Sequence, residues 1–272
     1  MAFNPNAVFI SPSTLADFDK CPQLYYYRSV YRTPRGLKIQ QITPALALGQ
    51  AVHDTIDQFV RTKQNNFDFI WGHLSGEKGG FITEEDEYKK RALEMLERFW
   101  RNDHFKETEM FKMPNFPKVD LGPNLILTGK LDWIEKEGDF YHVIDFKTGK
   151  NEEKADSLQL PIYSVLASGL LNSENIKASY WYLDKDDTLT SFALPLIAET
   201  KKLLFSKGEI VQMARQTNSY RCQSGKEECY ACRDMKAIAE GKGKLVTMDT
   251  VRKQEIYILP KIQVETSSEL PF

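Results

Sequence analysis

Residues 125–150, LILTGKLDWIEKEGDFYHVIDFKTGK, constrain the fold of this chain more than any other stretch. Two runs rich in β-branched and aromatic residues flank Gly138-Asp139, and a two-residue loop there pairs Glu137 with Phe140. Counting back in antiparallel register sets Asp132 opposite Asp145 and Lys130 opposite Lys147. Directly opposed residues hold their Cβ atoms ~4.5–5.5 Å apart. Two facing carboxylates repel at that distance unless a cation lies between them. A hard divalent cation such as Mg²⁺ fits, because it takes one or two carboxylates and otherwise water and phosphate. Asp145 and Lys147 are two apart on one strand and project to one face. The Lys147 ammonium can there hold a phosphate oxygen or position an attacking water. Val143, Ile144 and Phe146 make this run otherwise apolar, and burying charge without a partner is costly. The competing account is a surface strand with an Asp–Lys pair.

Around the hairpin the pattern alternates helices and strands. Ser11-Pro12 reads as an N-cap followed by Pro at the first helical position, with Leu15, Phe18 and Cys21 at helical spacing and Pro22 disturbing the helix. Helices are expected over 44–63, 83–104, 157–171 and 197–216, and strands near 177–183 and 188–195. Gly72, Gly76, Gly79 and Gly80 mark a loop. The expected class is α/β or α+β. Gly49 and His53 share a helix face, and glycine there admits another backbone while His53 points out as a ligand or packs. Gln159 and Tyr163 also share a face, with Pro161 placing the helix start close by.

The chain has 272 residues and 31.4 kDa, and folding to one domain hides roughly three quarters of its unfolded surface. No apolar run approaches the ~20 residues of a membrane span, and the start lacks a basic stretch before an apolar core, so a cytoplasmic protein is expected. A net charge of −2 excludes a generally basic nucleic-acid coat protein but not a DNA enzyme with a local basic groove. The densest basic and aromatic mixture is Arg28, Arg32, Arg35 and Lys38 among Tyr25, Tyr26, Tyr27 and Tyr31. It suits a phosphate backbone with stacked bases, or a solvated face beside packed tyrosines. Three of the four cysteines lie within eleven residues, which favours metal ligands or buried thiols over disulfides.

In order, Gly49 to His53, Gly129 to Asp132, Asp145-Phe146-Lys147 and Gln159 to Tyr163 resemble the motifs of the RecB-like branch of the PD-(D/E)xK nuclease superfamily. The opening Ser11-Pro-Ser-x-Leu-x-x-Phe-x-x-Cys21-Pro-x-x-Tyr25 is also similar to the start of such domains. The resemblance covers about residues 11–232. It implies a restriction-endonuclease-like α/β core, a central mixed sheet flanked by helices, and phosphodiester hydrolysis by metal-activated water. By resemblance, His53, Asp132, Asp145 and the Phe146 carbonyl bind Mg²⁺ or Mn²⁺, and Lys147 is catalytic beside Asp132 and Asp145. Gln159 and Tyr163 shape the site and contact DNA, with Arg28, Arg32 and Arg35 as further DNA contacts. Glu109, on an expected strand ahead of the hairpin, is an accessory candidate.

One subgroup of these nucleases, which includes CRISPR-adaptation and AddB-type domains, holds a [4Fe–4S] cluster on one N-terminal and three C-terminal cysteines. Cys21, Cys222, Cys229 and Cys232 supply that split, but the Cys-x6-Cys-x2-Cys spacing departs from the subgroup's short first gap, so a Cys₄ zinc site stays open.

The implied layout is a single nuclease domain over 1–272. Its core runs over about 44–200, a helical and Cys-bearing lobe over 11–43 and 201–240, and a strand-like extension and mobile tail over 241–272. The implied activity is an exonuclease on DNA ends or single strands, in recombination, repair, or phage or CRISPR DNA processing. A non-catalytic DNA-binding subunit of a nuclease–helicase complex and a restriction-type endonuclease are the alternatives. No Gly-x4-Gly-Lys-Ser/Thr motif is present, so unwinding falls to a helicase or recombination partner. The end, Glu269-Leu270-Pro271-Phe272, is similar to the tip of bacterial single-stranded-DNA-binding proteins, which implies a tip-recognising partner for Leu270 to Phe272; the alternative is an ordinary terminus.

Overall fold

The computed structural model describes residues 7–62, 85–112 and 114–259, so the glycine-rich loop expected at 72–80 and the tail from 266 lie outside the described residues. The hairpin forms as its sequence dictates. β5 (Trp133–Glu137) and β6 (Phe140–Lys147) pair antiparallel from Glu137–Phe140 to Trp133–Ile144, and Gly138 opens the loop at φ +60. The ladder ends at Trp133. Asp132 and Lys130 therefore do not continue as strand partners: Asp132 turns its carboxylate onto the Phe146 N–H, and Lys130 pairs with Asp57.

β6 also pairs in parallel with β7 (Ile176–Tyr182), through the crossover helix α6 (Gln159–Leu171). β8 (Thr190–Phe192) completes a mixed sheet ordered β5-β6-β7-β8. The alternation of β6 decides what each face carries. Val143 enters the core under α6 and α7 (Ile197–Gln216), whereas Ile144 and Phe146 enter the core under α3 (Pro44–Thr62) and α4 (Glu85–Arg101). That second core is aromatic, with Phe105 of α5 (Asp103–Glu107) stacked on Trp181 at 4.7 Å and Phe99, Phe146 and Trp133 closing around them. Helices thus cover both faces, so the protein is a mixed α/β structure as expected. The α6 stretch Leu160–Ser168 is buried, consistent with its place between the sheet and α7.

Two further sheets are nonlocal. β1 (Val8–Ile10) pairs in parallel with β4 (Leu125–Thr128), and β3 (Lys118–Gly122) pairs antiparallel to β4. β2 (Lys38–Gln41) pairs in parallel with β10 (Gln254–Ile258), which pairs antiparallel to β9 (Lys244–Asp249). Ser11 caps α1 (Pro12–Lys20), accepting from the Thr14 N–H while its own N–H donates to Thr14 Oγ1 at 2.7 Å. Pro22 ends that helix at an extended Cys21 and opens α2 (Pro22–Tyr25), which runs into a π-helical turn over Tyr26–Val30. Glu109 is not on a strand: it is exposed in the irregular segment after α5.

Gly208 of α7 sits where an added Cβ would lie 2.3 Å from Cδ2 of the fully buried Leu125 on β4. Gly208→Ala is expected to cost about 1–3 kcal/mol by overpacking. Thermal denaturation checks this, with a fall of a few degrees expected.

Candidate active site

Three elements bring the site together: the end of β6, the first turn of α6, and α3. Asp145 and Lys147 leave the face of β6 that looks toward α6. Asp145 is buried. Its Oδ1 accepts from Gln159 Nε2 at 2.7 Å. Lys147 Nζ stands 3.0 Å from Asp145 Oδ2, 2.9 Å from Glu153 Oε1, and donates to Gln159 Oε1 at 2.5 Å. Gln159 thus ties acid and lysine together, and its amide also reaches the Tyr163 hydroxyl at 3.2 Å. One helical turn separates Gln159 from Tyr163, which is why the i, i+4 spacing serves.

Asp132 sits across from this group. Its Oδ2 accepts from the Phe146 N–H at 3.0 Å, and its Oδ1 lies 3.1 Å from His53 Nδ1. Two glycines allow these approaches. A Cβ at Gly49 would lie 3.1 Å from Thr148 Oγ1, so glycine lets α3 lie against the chain leaving β6. A Cβ at Gly129 would lie 3.2 Å from the Tyr163 ring. The expected residues His53, Asp132, Asp145, Phe146, Lys147, Gln159 and Tyr163 therefore line one pocket of about 500 Å³.

Two carboxylates and an imidazole on one pocket are donors of the kind a divalent cation takes, although the three side chains do not close to within 4.8 Å of one another. Asp145 Oδ2 is a buried acceptor without a hydrogen bond, since Lys147 approaches it off the hydrogen-bond direction. A buried carboxylate oxygen in that state is costly. Burial, then the neighbouring Asp132 charge, pushes the Asp145 carboxyl up to about 7. Burial alone would lower His53, but the Asp132 carboxylate overrides it and holds the imidazole at about 9. Asp132 itself is lowered, its burial outweighed chiefly by His53.

Residues 10–243 match the sequence model of the PD-(D/E)XK nuclease superfamily. The chain belongs to this superfamily. A solved structure from Eubacterium rectale, named "Putative exonuclease", superposes with a TM-score of 0.53 over 83% of this chain and 87% of that one. At 13% identity that likeness shows the fold alone. No curated protein matches the chain.

Glu153 and Arg252 are among the residues of this pocket that sequence reading did not single out. Glu153 lies in the charged run Asn151–Lys154, which has no periodicity to single it out, yet it holds Lys147. Arg252 comes from the turn between β9 and β10, about a hundred residues after β6, and lines the same pocket. By contrast, Arg28 pairs with Asp17 at 2.8 Å, Arg32 donates to the carbonyls of Ser29, Val30 and Tyr31, and Arg35 stands 3.4 Å from Glu255. None of the three lines this pocket. The neighbouring tyrosines pack on one another and on Tyr220. Glu109 lines a separate cavity of about 500 Å³ with Asp57 and Lys130.

Cys21, Cys222, Cys229 and Cys232 converge, with their Sγ atoms all within 4.8 Å of one another. Leu24, Ile39, Met235 and Ile238 seal them in a small apolar core. The loop from Cys222 and the start of α8 (Arg233–Ala239) are thereby joined to the α1–α2 break. A hydrogen bond from Ser224 leads in lowering the Cys222 thiol to about 7, while burial pushes Cys232 up to about 12.

Asp145 and His53 both bind protons more tightly folded than unfolded. Their stabilisation is full below their ordinary values and is lost as pH rises through about 7 for Asp145 and about 9 for His53. Asp132, lowered, loses its contribution only in acid. Ion-free protein should therefore melt at a lower temperature at about pH 8.5 than at about pH 5.5 on account of this pair. In Asp145→Asn the part of that difference that comes from Asp145 should vanish; an unchanged pH dependence would contradict the assignment.

Proposed function

We propose that this nuclease is a divalent-metal-dependent deoxyribonuclease of the RecB-like type, acting on DNA ends or single strands. The observation that carries the reading is the convergence of Asp132, Asp145, His53 and Lys147 on one pocket, where the buried Asp145 Oδ2 meets only the Lys147 ammonium at 3.0 Å. Asp132, Asp145, His53 and the Phe146 carbonyl are the groups that would hold Mg²⁺ or Mn²⁺, which when bound supplies a more acidic water and Lewis-acid polarisation of the phosphate. Lys147 keeps its ammonium charged, its pKa raised by Asp145 and Glu153 against the effect of burial. It can hold a phosphate oxygen or orient the nucleophilic water. Gln159 keeps Lys147 and Asp145 in mutual register, and so acts as a positioning residue.

A cleft of about 1140 Å³ adjoins the pocket and shares Lys130, Glu153, Gln159 and Tyr163 with it. Lys20, Lys130, Lys154 and Lys207 line it beside Asp19, Glu152, Glu153 and Asp156, so its lining is mixed in charge and the lysines are the groups that could meet a strand backbone. Arg252, which lines the pocket, offers a phosphate contact. A helicase partner would supply unwinding.

The four thiols form the second part of the proposal: they hold one metal centre that fastens the two chain ends. The resemblance implies a cubane cluster. The Sγ separations of 3.8 Å for Cys229–Cys232 and 3.9 Å for Cys222–Cys232 are closer to the roughly 3.8 Å edge of a tetrahedral zinc thiolate site. Metal and sulfide analysis of anaerobically purified protein decides the identity. Iron and sulfide near four per chain mark the cluster, one zinc in colourless protein marks zinc, and neither contradicts a metal site. Cys21→Ser should lower the melting temperature.

End-labelled linear and circular DNA, single- and double-stranded, incubated with Mg²⁺, Mn²⁺ or chelator, tests the activity. Linear DNA should be degraded only with metal, and circular single strands spared by an exonuclease. Lys147→Ala should lose about 10²–10³-fold or more in rate while staying folded. Arg252→Ala should raise KM more than it lowers kcat. Full cleavage in chelator, or by folded Lys147→Ala, would overturn the reading.

A further inference from the structure

The loop end of the β5–β6 hairpin carries a second set of metal-ligating groups. Glu135 and Glu137 stand on one face of β5, and His142 pairs directly with Glu135 across the ladder. One ligand atom from each of the three lies within 4.8 Å of the others. Glu135 is buried, and its carboxylate is already oriented. Trp133 Nε1 donates to Oε2 at 2.6 Å, and His104 Nε2 lies 2.8 and 2.9 Å from the two oxygens. Lys177 takes the other oxygen of Glu137, Oε1, at 3.3 Å.

His142 is the informative residue. Its Nε2 shares a 2.9 Å hydrogen bond with Ser179 Oγ, so with Nε2–H donating, the Nδ1 lone pair faces the carboxylates. Nδ1 lies 3.7 Å from Glu135 Oε1 and 3.5 Å from Glu137 Oε2. Both distances are too long for a useful hydrogen bond. They are close to the edges of a coordination tetrahedron: ligands 2.0–2.2 Å from zinc lie roughly 3.3–3.6 Å apart. Outer partners that fix a ligating imidazole and a ligating carboxylate are the usual company of such a site. Here Ser179 holds the imidazole, and Trp133 with His104 holds the carboxylate. A pocket of about 350 Å³ lined by His104, Glu135, Glu137 and His142 gives an ion its entry path.

We propose that Glu135, Glu137 and His142 bind a zinc-class divalent cation, with water or a turned His104 completing four ligands. This site uses neither the nuclease pocket nor the cysteines, so it stands apart from the functional reading above. Its consequence is structural: the ion clamps the hairpin whose other end carries Asp132 and Asp145.

Chelator-treated protein is dialysed against buffered Zn²⁺ and the bound zinc counted, for wild type, Glu137→Gln and His142→Ala. Wild type should hold one zinc per chain more than either variant. The zinc-induced rise in melting temperature should shrink in both. Glu137 is half exposed, so Glu137→Gln keeps the test decisive if His142→Ala folds poorly. Co²⁺ gives a second readout: the wild-type minus Glu137→Gln spectrum should show visible d–d bands without intense thiolate charge transfer. Equal zinc counts in wild type and Glu137→Gln would overturn the proposal. A difference spectrum dominated by thiolate bands would overturn it as well.

Discussion

Asp132 reaches past the last rung of the β5–β6 ladder and takes the Phe146 N–H at 3.0 Å. That bond holds one carboxylate against the backbone of the strand that carries the other, Asp145. The half-buried Asp132 is thereby set near the buried Asp145, whose carboxyl its charge helps to raise, and neighbouring like charges need compensation. His53 supplies part of it from α3, and Lys147 and Gln159 supply part from β6 and α6, with the Lys147 ammonium 3.0 Å from Asp145 Oδ2. Helix positions, glycine approaches and the crossover topology are arranged around this unequal balance.

The alternation of β6 makes the arrangement possible. Ile144 and Phe146 anchor the strand into the aromatic core, so the strand cannot shift by one residue without burying Asp145 in that core and exposing two large apolar groups. The same anchoring fixes where Asp145 and Lys147 emerge. The parallel step from β6 to β7 places the first turn of α6 above that exit, and the buried flank of α6 keeps Gln159 and Tyr163 aimed at it. His53, Asp145, Lys147, Gln159 and Tyr163 are thus set on helices and a strand, whereas Asp132 comes from the bend before β5.

Local signals proved readable and distant ones did not. Gly138-Asp139 set the hairpin register, and the register brought Asp132 to Asp145, although strand pairing stops one step earlier at Trp133. Leu196 and Thr217 bound α7 where apolar spacing placed it, and Ser11 caps α1 as its sequence implies. Lys130 departed from the register because Asp57 on α3 lay within reach, a tertiary contact that no local pattern encodes. Arg252 was invisible for the same reason: β10 pairs with β2 across more than two hundred residues, and that pairing carries its turn to the pocket. Arg28, Arg32 and Arg35 read as a candidate nucleic-acid face by composition; the partners they have in the fold, Asp17, three backbone carbonyls and Glu255, carry no local signal. The convergence of Cys21 with the three later cysteines was implied by the resemblance to the cluster-bearing subgroup, but their apolar seal was not legible.

The account depends on a single cation held between Asp132 and Asp145. Mn²⁺ titration followed by electron paramagnetic resonance measures that ion directly, without DNA or turnover. Wild-type protein should bind one Mn²⁺ that Asp145→Asn and Asp132→Asn both lose, with circular dichroism unchanged. Retention of that ion at wild-type affinity in the folded Asp145→Asn protein would contradict the central claim.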